Sequence, residues 1–177
     1  MAGMASLQPE HALFLRDWML GALKREHPIT CRVIDAIPID KGLYRPDTVV
    51  KNADDLAWHI VAAEHRFMDA VVNGVFDLTP WPRPDEIRSS VDISRWYGET
   101  FAQDVERVDA LPVEALLTVI DFRGIFQRPA VAYLHTAHIH SIHHRGQLSV
   151  YLRPMGARVP AIYGESYDSA LAKSGVQ

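Results

Sequence analysis

His135, His138, His140, His143 and His144 fall within ten residues of one another, and Arg145, Gly146 and Gln147 follow at once. They are five of the nine histidines in the chain. Imidazole is the commonest side-chain metal ligand and changes charge near neutral pH. Two imidazoles at i and i+4 on a helix lie side by side and can grip one ion. His140 and His144 have that spacing. At about 100° per residue they share a stripe with Tyr133, Ala137, Gln147 and Tyr151. His143 lies at its border, while His135 and His138 point away and read as structural. Such a pair also occurs as ordinary hydrogen-bonded histidines, so by itself it leaves both readings open.

Helical periodicity predicts the elements that must position these residues. A first helix runs from about Glu10 to Ile37, with Phe14, Trp18, Ala22, Ile29, Val33 and Ile37 near one face. Pro28 removes one backbone donor inside it, which kinks the helix or splits it in two. The apolar phase continues past Pro28 and favours the kink. Asn52 reads as an N-cap with Asp54 and Asp55 in the first turn, opening a helix over about 53–73 that Gly74 ends. A third helix is expected over Ile93–Leu111, and a fourth from Pro129, a favoured first-turn residue, to Arg153. Leu116–Ile120 fits a short strand or a helical turn, broken by Gly124. A last turn is expected at Tyr167–Lys173. Four long helices with little strand signal make an all-α bundle, in one domain spanning 1–177.

Bundles build metal sites between facing helices, so the fourth-helix pair needs a partner. His11 and His27 flank the first helix in polar surroundings and read as exposed. On the second helix Leu56, His59, Ile60, Ala63 and Phe67 share an apolar face, while His65, beside Glu64 and Arg66, reads as solvated. His59 is therefore the histidine that points inward. A buried imidazole needs a partner, which a metal or a core hydrogen bond would supply. Three neutral imidazoles around a divalent ion leave an open position, the pattern of catalytic sites. Such an ion lowers the pKa of bound water or thiol and polarises a substrate oxygen. Arg145 and Gln147 would help place an anionic or polar substrate.

Composition narrows the classes. The chain has 177 residues, 48% hydrophobic and 23% charged, with a net charge of −4. These values suit a globular domain without a basic nucleic-acid footprint. The single cysteine, Cys31, excludes an internal disulfide and suits a reducing compartment. Residues 1–10, MAGMASLQPE, lack the charged and apolar regions of a leader. No apolar run approaches the roughly 18 residues of a membrane helix. The expected location is cytoplasmic, with neither a membrane nor a nucleic acid as partner.

The string His140-Ser141-Ile142-His143-His144-Arg145-Gly146-Gln147 resembles the H-x-x-x-H-R-G-Q signature of the DinB/YfiT-like family. Tyr44-Arg45-Pro46-Asp47, then Asp55-Leu56-Ala57-Trp58-His59-Ile60, resembles that family's loop and second helix. Tyr151-Leu152-Arg153, Met155-Gly156, Val159-Pro160 and Ile162-Tyr163-Gly164 resemble its C-terminal end. The resemblance implies a four-helix bundle with up-down-down-up connection and a divalent ion on His59, His140 and His144. It implies nickel or zinc, with iron or manganese as further candidates, and a homodimer. Relatives include low-molecular-weight thiol S-transferases and maleylpyruvate isomerases.

Three functional classes follow. The first is a metal-dependent enzyme, either a small-thiol S-transferase or a metal-water hydrolase. The second is a non-catalytic metal-binding bundle, and the third a bundle with buried histidines and no metal. For catalysis, the candidate residues are His143, Gln147 and Tyr151. The expected pocket lies between the first, second and fourth helices, with Trp18, Tyr133, Gln147 and Tyr151 on its walls.

Overall fold

The computed structural model describes residues 7–174; most of the segment read above as lacking a leader lies outside them. Four long helices carry the fold: α1 (Pro9–Asp35), α2 (Ala53–Asn73), α3 (Ser90–Asp109) and α5 (Ala132–Leu152). Short elements join or follow them: α4 (Val113–Leu117), the strands β1 (Val119–Phe122) and β2 (Phe126–Pro129), and α6 (Tyr167–Ser174). No described helix is long and apolar enough to cross a membrane.

Local chemistry accounts for the helix ends. The Asn52 side chain accepts from the Asp55 N–H at 2.8 Å and starts α2, and Gly74, at φ 70°, ends it. Ser89 opens α3 in a reciprocal capping box with Asp92. That helix therefore begins three residues before the expected Ile93. Pro28 lies within one unbroken α1. Pro129 does not open a helix: it pairs with Val119 at the end of β2. The ambiguous stretch before it divides into a helical turn and an antiparallel hairpin. The hairpin's central residues Arg123 and Gly124 both have positive φ, 59° and 70°.

Side-chain contacts set the helix directions. Along α1, Arg16, His27 and Ile37 meet Asp109, Tyr97 and Ser90 in reverse order, so α1 and α3 are antiparallel. Trp58, His65 and Asp69 meet Trp96, Asp104 and Arg107 in forward order, so α2 and α3 are parallel. His59 meets His144 and Phe67 meets His140, making α2 and α5 antiparallel. The chain is thus an all-α bundle of up-down-down-up sense, with α2 and α5 the most extensively packed pair. Leu56, Ile60, Met68, Ile93, Leu134 and Leu148 are fully buried at its centre. The face expected for α1 needs correction at one end. Phe14 and Trp18, 63% and 61% exposed, stack on each other at the surface, and Ala12, Met19, Leu20 and Leu23 face inward instead.

Candidate metal site

His59 projects from α2, and His140 and His144 project from successive turns of α5. One ring nitrogen from each lies within 4.8 Å of the others. The ring centroids are 4.9 Å apart for His59 and His140, 4.6 Å for His59 and His144, and 4.4 Å for His140 and His144. Nε2 of His59 and Nε2 of His144 are separated by 3.2 Å. Two nitrogens each ~2.1 Å from one ion, at an angle between square and tetrahedral, lie ~3.0–3.4 Å apart. The observed separation fits that geometry.

The protonation chemistry suits a cation as well. Burial, then the neighbouring His144, then Lys51, pushes His59 down to about 4. Burial, followed by His144, His59 and His143, pushes His140 down to about 3. Both imidazoles are therefore neutral and able to ligate near pH 7. Nδ1 of His144 donates to Oε1 of Gln147 at 3.0 Å, which frees Nε2 to face His59. Nδ1 of His140 is buried with no hydrogen-bond partner among the described residues, an orphan that an ion or ligand would answer. The three residues fit a divalent metal.

A cavity of about 580 Å³ opens beside His59 and His140. Its apolar wall includes Trp58, Phe67, Phe76, Trp81 and Phe122, from α2, the loop after it and the hairpin. Lys51, Arg66, Arg83 and Arg123 add cations, and Asp55 and Asp77 add carboxylates. The expected pocket therefore needs correction: α1 contributes nothing to this lining, and Trp18, Tyr133, Gln147 and Tyr151 are not part of it. Tyr133 instead donates its hydroxyl to the Ile120 carbonyl at 2.8 Å, fastening the hairpin to α5. Tyr151 is buried edge-on against Tyr44. His143 is exposed, its ring 4.8 Å from that of His144.

Other polar residues lie elsewhere than the sequence led us to expect. Arg145 is buried in the core, 2.6 Å from Glu26 and 3.1 Å from the Thr30 hydroxyl, so it braces α5 against α1. His65 faces α3, with Nδ1 2.6 Å from buried Asp104. His27 stacks on Phe101 and meets Tyr97 at a tilt, with ring centroids 4.3 and 4.4 Å away. Burial pushes the nearby Cys31 thiol up to about 11. His11 is exposed, as expected. Glu64, read as solvated, is buried: its carboxylate accepts from Tyr97 at 2.6 Å and from Ser141 at 2.5 Å. Its only sequence signal was a carboxylate one turn from Ile60 and three residues from Phe67. The cavity cations had no local signal, because four separate segments bring them together.

Comparison with known proteins agrees with this architecture. A family model described as "DinB family" matches residues 15–173. The uncharacterized protein YjoA of Bacillus subtilis (strain 168) is 28% identical over 130 residues, which is 72% of this chain and 82% of the relative. The crystal structure of a DinB-like protein, YjoA, from Bacillus subtilis superposes with a TM-score of 0.68 at 23% identity. The match covers 84% of this chain and 99% of that one. A DinB-like protein from Bacillus cereus ATCC 10987 gives a TM-score of 0.66 at 27% identity, covering 82% of this chain and 95% of the other.

Proposed function

The chain belongs to the DinB family, and we propose that it is a divalent-metal-dependent enzyme that transfers a small thiol to an electrophilic substrate. In this reading His59, His140 and His144 hold the ion, with nickel or zinc as the expected metal. The observation that carries the reading is the convergence of three ring nitrogens, two of them from histidines that line a cavity large enough for a small molecule. When bound, a divalent ion supplies a Lewis acid that lowers the pKa of a thiol or water beside it.

The chain's own residues do the rest. Gln147 orients His144 through Nδ1. The phenylalanines and tryptophans of the cavity exclude water and support an apolar substrate body. His143, exposed beside His144, is the candidate acceptor for the thiol proton. Gln147 acts as a positioning residue in this scheme, and we assign no role at the cavity to buried Tyr151. The reading also includes a homodimer, which light scattering tests.

The test begins with the metal content of untagged protein purified without added metal. The metal-loaded and chelator-stripped forms are then offered an electrophilic arene with glutathione, with cysteine, or with water alone. Turnover that needs both metal and thiol is expected. Turnover with water alone would make the protein a hydrolase. A retained metal with no turnover would overturn the enzyme reading and leave a metal-binding bundle.

A further inference from the structure

The cavity beside the histidines has an unequal charge account. Its two carboxylates are already answered within the fold. Asp55 lies 3.6 Å from Arg83 and accepts from the Asn52 amide at 2.7 Å. Asp77 accepts from the Thr79 N–H at 2.8 Å. Arg66 is likewise committed, donating to the carbonyls of Thr79, at 2.7 Å, and Asp77. Lys51 and Arg123 line the same cavity, yet neither has a hydrogen bond or ion pair with any described residue. Nη1 of Arg83 is in addition buried with no acceptor among the described residues.

Arg123 stands out for a second reason. It has a φ of 59° at the hairpin turn, a conformation that a long side chain rarely adopts and that asparagine or glycine would adopt more readily. The turn itself imposes this, since the Ile125 N–H closes on the Phe122 carbonyl at 2.9 Å with Arg123 and Gly124 both at positive φ. Lys51 approaches from the opposite end of the sequence, immediately before the N-cap of α2. Two exposed cations with no partner among the described residues thus border an aromatic wall and the imidazoles of His59 and His140.

We propose that this cavity binds a carboxylate-bearing small molecule with a flat apolar body, its negative charge favoured by Lys51 and Arg123 on the lining and its body against Phe67, Phe76 and Phe122. The inference rests on the proposed function only in taking this cavity as the substrate site. It adds the substrate class, and the cations select acid over neutral analogue whether or not an ion is present. Electrostatic pairs at a partly solvated rim discriminate modestly, so about a tenfold preference is expected from two of them.

The test uses 1-naphthoate and its uncharged analogue 1-naphthamide, measured by equilibrium dialysis on the full chain, both metal-loaded and chelator-stripped. The comparison variant is Lys51→Gln with Arg123→Asn, asparagine being suited to the positive φ. Naphthoate is expected to bind about tenfold tighter than the amide, with the difference falling to within about twofold in the double variant. Circular dichroism and metal content of the variant should be unchanged. Equal binding of acid and amide, or of neither, overturns the proposal, as does a preference that survives in the variant. A preference confined to loaded protein and kept by the variant would place the anion on the ion instead. Inorganic phosphate competing as strongly as naphthoate would show a bare anion site, which overturns the apolar-body assignment. Failure to retain metal would count against the proposed function alone, because the acid preference is read separately in stripped protein.

Discussion

Oε1 of Gln147 accepts a hydrogen bond from Nδ1 of His144 at 3.0 Å, one turn along the same helix. The bond selects the tautomer whose Nε2 lone pair faces His59. Partners of this kind are typically worth 10–100-fold in metal affinity. Gln147→Leu should therefore weaken metal binding by about that factor while leaving all three imidazoles in place. Gln147→Glu, which keeps an acceptor, should restore most of it. Competition with a coloured chelator measures both, and an unchanged affinity in the leucine variant would remove the orienting role.

His144→Ala or His59→Ala should abolish stoichiometric metal binding, whereas His138→Ala and His143→Ala should retain it. Neither His138 nor His143 belongs to the converging set. Elemental analysis of the four purified variants, with circular dichroism as a control for folding, decides the matter. Equal loss in all four would show that the ion sits elsewhere on α5.

Arg145, fully buried, and Glu26, half-buried, form an ion pair at 2.6 Å. Breaking such a pair from one side leaves an uncompensated charge and costs about 3–5 kcal/mol. Arg145→Ala should lower the urea midpoint accordingly, while the protein that remains folded still binds metal. A change below about 1 kcal/mol would mean that water reaches the pair.

Glu64 gives the clearest pH signature. Burial, outweighing the Ser141 and Tyr97 hydrogen bonds, raises its carboxyl from 4.5 to about 7. A folded pKa above the unfolded one means that the unfolded chain releases its proton first as pH rises. The stability that goes with the protonated form is complete below pH 4.5 and is lost as pH climbs through about 7. At about 1.4 kcal/mol per unit, the loss is on the order of 3 kcal/mol. Glu64→Gln should remove this slope and be more stable than the unaltered chain at pH 8. Parallel curves for the two proteins in urea between pH 5 and 8 would refute the assignment.

Much of the fold was legible because its signals are local. Asn52 and Gly74 mark the ends of α2 through their own capping chemistry. Period alone placed His140 and His144 together, and set His59 on an inward face. The hairpin escaped this reading, since strands of four residues carry too little periodicity to tell Val119–Phe122 from a helical turn. The Ser89 capping box was visible in the sequence, with aspartate in the place usually held by glutamate.

The sequence by itself determined the four long helices, the family, and which imidazoles share a face, because those depend on neighbours three or four residues away. Tertiary structure decided which surface each face meets. It turned Glu64 into a buried partner of α3 and His65 into a half-buried one, sent Arg145 into the core, and left Phe14 and Trp18 outside. It also moved the cavity to α2, the following loop and the hairpin, where Lys51, Arg83 and Arg123 gather. Helical phase gives angles within one helix, but burial and charge pairing arise between segments distant along the chain. Only the packed bundle specifies those contacts.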